Sequence, residues 1–167
     1  MVEDRKRTDR RGKSKALGEL VRNLRASDIR LTSASAMQEC LRGAHTNEDL
    51  ASRSESSREE FVREGRQAEL PGELSDEVVS QHYANAAGFY EGAALDYLLK
   101  CDLPRAFKYC RKAATAYARA AHLASARSSL AEKASDCKTQ QVLVRHALAK
   151  KNRLRRTLSM RSLGRLR

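Results

Sequence analysis

Between positions 75 and 124 tyrosine and alanine return at intervals of three and four, and no other feature restricts the fold so tightly. Tyr83, Ala86 or Ala87, Tyr90, Ala94 and Tyr97 lie on one stripe. Ala106, Cys110, Ala113, Tyr117, Ala120 or Ala121, and Ala124 lie on another. That rhythm marks one face of a helix. The stripes are separated by Cys101-Asp102-Leu103-Pro104, where Asp102 suits a cap and Pro104 suits a first turn, in which a missing N–H costs nothing. Ser75 suits the N-cap of the first helix, with Asp76 and Glu77 favourable beside its positive end. The pattern predicts an antiparallel hairpin with alanine at the crossing. Seven of the eight aromatics, those from Tyr83 to Tyr117, surround it.

A third helical stretch, about Ser128 to Lys151, continues the pattern more weakly through Leu130, Ala134, Cys137, Val144 and Leu148, with Gln140 and Gln141 interrupting it. Two prolines and eight glycines leave few obligate breaks, and 167 residues suffice for one modest core. The predicted fold class is all-α: a helical hairpin extended to a small three-helix bundle over residues 75–151, with short N-terminal helices and disordered basic ends. Residues 1–14 lack apolar anchors and read as a disordered basic arm. Residues 15–43 read as two short amphipathic helices. The first carries Leu17, Leu20, Val21, Leu24 and Leu31. The second carries Met37, Cys40 and Leu41, with Ser33 or Ser35 as its cap and Gly43 at its end in the left-handed conformation. Residues 44–72 read as a polar linker, with room for a short helix through Phe61, Val62 and Leu70 before Pro71-Gly72 ends it.

The net charge of +12 is uneven. Residues 1–15 hold seven Lys/Arg against three acids, and residues 145–167 hold nine against none, so the middle is nearly neutral. Basic ends of this kind suit a phosphate-rich or acidic surface, or simply keep the chain soluble. Cys40, Cys101, Cys110 and Cys137 form no C-x-x-C pair, and the charged start is followed by no apolar run of the signal-peptide kind. These features imply a reducing setting, cytoplasmic or nuclear, with the cysteines acting as small hydrophobes.

The hairpin resembles the tetratricopeptide repeat: Tyr90, Ala94 and Tyr97 match its first-helix positions, and Ala106, Cys110 and Ala113 its second-helix positions. Cys110 stands where an aromatic is usual, Cys101 in place of the turn glycine, and Ala118 where a closing proline is expected. No second copy of the pattern is present. With its third helix, the stretch from Ser75 to Lys151 also resembles the microtubule-interacting-and-trafficking (MIT) domain, a three-helix bundle. Either resemblance implies a non-enzymatic adaptor that binds another protein, through a short helical peptide held between two helices.

No phosphate-binding loop, zinc-protease motif, nucleophile elbow or calcium loop occurs, so the expectation is no enzyme, no cofactor and no small-molecule substrate. A zinc site from Cys137 and His146 fits no familiar spacing. Cys110 and His122 lie about 18 Å apart on one helix, too far for a nucleophile pair. Tyr109 falls off the second stripe, so Lys108, Tyr109, Arg111 and Lys112 read as a basic-aromatic partner surface, or as an ordinary solvated face. Lys150, Lys151, Arg153, Arg155, Arg156, Arg161, Arg165 and Arg167 are candidate contacts for an anionic surface. That surface is nucleic acid in one alternative and anionic membrane in another. Arg156 precedes Ser159 by three residues, a spacing similar to basophilic-kinase sites, which makes Ser159 a candidate phosphosite.

Overall fold

The computed structural model describes residues 15–22, 33–124 and 127–163, and these are helical apart from short turns. Helix α1 covers residues 15–22, α2 runs Ala34–Arg63, α3 Asp76–Leu99, α4 Leu103–Leu123 and α5 Arg127–Leu163. Two single-turn 3-10 segments, Gln67–Glu69 and Gly72–Leu74, join α2 to α3. The all-α class, with α3, α4 and α5 packed together, matches the sequence expectation. The expectations for residues 1–14, for Leu24 and Leu31, and for 164–167 lie outside the described residues.

α3 is the central helix. It buries Val79, Tyr83, Ala86, Ala87, Tyr90, Ala93, Ala94 and Leu98, more than one stripe can hold, because α2 covers one side and α4 another. α4 in turn packs on α5. Successive helices therefore pack as neighbours. Alanine lets α3 and α4 approach closely, so the few tyrosines suffice to fill the space between them.

The caps follow local chemistry. Ser33 and Ser75 accept the N–H groups of Ala36 (3.2 Å) and Val78 (3.3 Å), and Asp102 accepts that of Arg105 (3.2 Å). Asp76 also pairs with Arg58, which ties the start of α3 to α2. The ends of α2 and α3 close with the same bonds. Gly65 N–H donates to Val62 and Arg66 N–H to Phe61, while Cys101 N–H donates to Leu98 and Asp102 N–H to Tyr97. Such a closure needs a left-handed residue. Gly65 has φ +74°, and Cys101 takes the glycine role at φ +58°.

The stretch 44–63 corrects the linker expectation. α2 continues without interruption from Ala34 to Arg63, so the expected short helix at 34–42 is only its first part. Gly43 is not a terminator. It sits inside the helix, where an added Cβ would come 3.3 Å from the Phe89 ring. The inward residues Met37, Ala44 and Ala51 are seven apart. Leu17 and Leu20 of α1 lie against the main core, half-buried. Residues 152–163, for which the Leu/Arg alternation allows a basic amphipathic helix when bound or a loose tail when free, continue α5 through Leu163.

Candidate functional site

The expected basic-aromatic surface on α4 does not form. Tyr109 is buried at 8% exposure, stacked 5.6 Å from Tyr97 and 6.0 Å from Tyr90 between ring centroids. α4 is covered on two sides, so a residue off the main stripe still faces protein. Lys108 stays exposed with its ammonium 5.5 Å from the Tyr109 ring. Lys112 turns towards α2. Arg111 alone points away, into a different feature described below.

Lys112 belongs to a polar ladder running through α2, α3 and α4. In one rung the Tyr90 hydroxyl donates to Glu48 (2.5 Å), and the Lys112 ammonium donates to Glu48 (3.1 Å) and to the Tyr90 oxygen (2.9 Å). In the next, Tyr83 donates to Glu55 (2.7 Å) and Arg119 donates to the Tyr83 oxygen (3.1 Å). Each cation also lies over its ring, Lys112 at 4.5 Å and Arg119 at 5.4 Å. Glu48 and Glu55, Tyr90 and Tyr83, and Lys112 and Arg119 are each seven residues apart. The rungs therefore repeat every two turns, about 10.5 Å. Burial pulls the Glu48 pKa upward, but the bonds from Tyr90 and Lys112 and the Lys112 charge outweigh it, so Glu48 sits below its ordinary value. Burial, reinforced by the adjacent carboxylates, raises the phenols of Tyr90 and Tyr83.

A separate contact links α3, α4 and α5. Tyr117 donates to Glu91 (2.8 Å), and the Lys133 ammonium lies 5.5 Å from the Tyr117 ring. Cys110 and Cys137 lie buried nearby, and burial pushes their thiols up to about 11 and about 12. Both are protonated at neutral pH, which suits packing and not nucleophilic chemistry. Among the described residues, no group of three His, Cys, Asp or Glu side chains is placed to hold a metal ion.

The open surface of α4 faces α5 across a cleft of about 450 Å³ lined by Arg111, Ala114, Thr115, Ala118, Arg119, His122, Lys138 and Gln141. Its lining is mostly carbon and includes Ala114 and Ala118 together with the cationic Arg111, Arg119 and Lys138. No acid lines it. The cause is visible along the chain. Residues 16–99 carry eight Lys/Arg against fifteen Asp/Glu, whereas residues 100–167 carry eighteen against three. α4 itself holds five Lys/Arg and no acid. The positive charge is thus not confined to the ends, as the count over the first 15 and last 23 residues suggested. A wider cleft of about 800 Å³, lined by Asn47, Gln81, Asn85, Phe89, Tyr117 and Lys133 among others, mixes polar and apolar groups with Lys133 as the one charged side chain among the described lining residues.

Of the expected anionic-surface contacts, Lys150, Lys151 and Arg153 are exposed on α5. The side chains of Arg155, Arg156, Ser159 and Arg161, together with Arg165 and Arg167, lie outside the described residues. Sequence reasoning missed Arg119, His122, Lys138 and Gln141. The seven-residue recurrence of acid, tyrosine and cation was the available signal for the ladder. Among the described residues, no helix is long and apolar enough to cross a membrane. Comparison with protein-family models, curated proteins and solved structures finds no match.

Proposed function

We propose that the chain is a non-enzymatic helical adaptor whose α4–α5 face binds another protein. The observation that carries this reading is the cleft itself, which brings together Arg111, Arg119 and Lys138 beside Ala114 and Ala118 with, among the described residues, no acid. Cations without acidic neighbours attract an acidic partner, and small apolar residues let it approach closely. The exposed Lys150, Lys151 and Arg153 lengthen the electrostatic reach along α5. The groove-binding mode implied by the resemblance to tetratricopeptide and MIT families belongs to the same proposal, as does an intracellular site of action.

A second reading, nucleic-acid binding, is favoured by the stretch after Asp136, in which α5 carries only cations among its charged residues. The two separate in a capture experiment with the immobilised full chain, run with and without nuclease and with residues 152–167 deleted. A protein set that survives nuclease and the deletion is expected. Loss of all partners on nuclease treatment overturns the adaptor reading and supports the second.

A further inference from the structure

We infer that the part of α5 projecting beyond the bundle lies in the major groove of duplex DNA, with cations on both flanks meeting the two phosphate walls. This goes beyond the adaptor reading and deepens the nucleic-acid reading, on which it rests. The α4–α5 cleft takes no part in it. The projection follows from length. α5 has 37 residues against 21 in α4, on which it packs. Val144 is fully buried, and no described residue after it is buried. From there the helix continues to Leu163, a further rise of about 28 Å. No Asp or Glu follows Asp136 in the sequence.

The spread of charge around the axis selects the partner. Arg145, Lys150, Lys151 and Arg153 are all exposed. At about 100° per residue, measured from Lys150, they stand at about 220°, 0°, 100° and 300°, so no side of the helix lacks a cation. An anionic membrane surface takes a helix whose apolar residues gather on one face. Here Leu148 and Leu154 fall about 120° apart, each between two cations. An acidic protein surface would meet one flank and leave the charge of the other unused. A groove with phosphates on two walls meets both. The B-form major groove, about 12 Å wide, admits a helix about 10–12 Å across, whereas the major groove of duplex RNA is too narrow. No aromatic residue follows Tyr117, so the projection has nothing on which the bases of a single strand could stack.

The test uses the full chain. Fluorescence anisotropy gives its affinity for a mixed-sequence DNA duplex, an RNA duplex of equal length and one DNA strand alone. Co-sedimentation gives its affinity for vesicles of phosphatidylserine and phosphatidylcholine. The DNA duplex is expected to bind about tenfold or more tighter than the RNA duplex or the single strand, a difference of about 1.4 kcal/mol. Four phosphate contacts give log affinity a slope of about −3.6 on log salt, so raising salt from about 50 to about 200 mM should weaken DNA binding about 150-fold. Arg145→Gln, Lys150→Gln, Lys151→Gln and Arg153→Gln, made singly, should each weaken DNA binding and each reduce that slope by about 0.9, whichever flank they occupy. Glutamine keeps the helix propensity of lysine and arginine, and helix content and melting temperature of each variant establish that it folds.

Equal affinity for DNA and RNA duplexes overturns the inference, because the helix then stays outside the groove, while the nucleic-acid reading survives. A loss confined to Lys150→Gln and Arg153→Gln, or to Arg145→Gln and Lys151→Gln, also overturns it, since one flank and a flat surface would then suffice. Tighter binding to the vesicles than to DNA assigns the projection to a membrane, and the inference fails. If no nucleic acid binds at about 50 mM salt, the inference and the nucleic-acid reading fall together. Nuclease-resistant partners in the capture experiment would then leave the adaptor reading standing alone.

Discussion

Replacing Glu48 by glutamine tests whether the ladder stabilises the fold. The carboxylate is about one-third exposed and the Lys112 ammonium slightly less, at 34% and 28%. Exposed ion pairs contribute about 0–1 kcal/mol, and breaking a fully buried one costs about 3–5 kcal/mol. Screening at this partial exposure places Glu48→Gln near the lower range, at about 1–1.5 kcal/mol, because glutamine still accepts one bond and Lys112 keeps the Tyr90 oxygen. For a chain of this length that is a fall in melting temperature of about 3–5 °C. The pH dependence carries the sharper signature. Glu48 titrates below its ordinary value of 4.5 in the folded chain, so its contribution is complete above that value and is lost as pH falls through the lower folded one. Thermal melts followed by circular dichroism from neutral to acidic pH should show wild type converging on Glu48→Gln as acid is added. A cycle with Lys112→Met should give a coupling of about 1 kcal/mol. Parallel pH profiles for wild type and Glu48→Gln, or zero coupling, refute the argument.

Cys101→Gly should stabilise the chain by about 0.5–1 kcal/mol, since glycine adopts the left-handed conformation without the Cβ penalty, and a chemical-denaturation midpoint measures it. An aromatic disulfide reagent should label exposed Cys101 rapidly in the native chain and reach Cys110 and Cys137 only after denaturant is added, as time-resolved mass spectrometry would record. Tyr83, Tyr90, Tyr109 and Tyr117 all have phenol pKa values raised above 10.0, chiefly by burial. Their stabilising contribution is whole below pH 10.0 and fades as pH rises through the raised values, so their phenolate absorbance should appear together with loss of helix. Ionisation of these four near pH 10.0 with the helices intact is the contrary result.

The hairpin was legible because its inward residues are tyrosine and alanine at helical spacing, a signal that survives any neighbour. α2 was not legible, and the reason is chemical. Its buried positions past Met37 are Ala44 and Ala51, and its strongest inward contacts come from Glu48 and Glu55, which hydrophobic patterning scores as solvent-facing. Ser52, Ser54, Ser56 and Ser57 made that stretch look like a loop, although Ser56 simply returns a bond to the carbonyl of Ser52 one turn earlier. Gly43 looked like a helix end because terminators are commonly glycine, whereas here glycine leaves room for Phe89. The cleft escaped notice for a related reason. Its residues come from two helices whose relative rotation no local spacing encodes, and only the absence of acid in α4 hinted at it.

The seven-residue repeat of the ladder has a consequence for alignment. A repeat that recurs on all three helices is nearly blind to a slip of one period, because sliding α2 by seven residues would bring one carboxylate back beside a tyrosine and a cation. What fixes the correct setting is the unequal size and charge of the residues at 37, 44, 51 and 58. A slip one way would press Met37 into the space that fits Ala44. A slip the other way would drive Arg58 into the slot of Ala51, stripping a guanidinium of water and of its partner Asp76. Met37 and Arg58 thus act as stops at either end of a sliding track, and two alanines between them mark where α2 comes to rest.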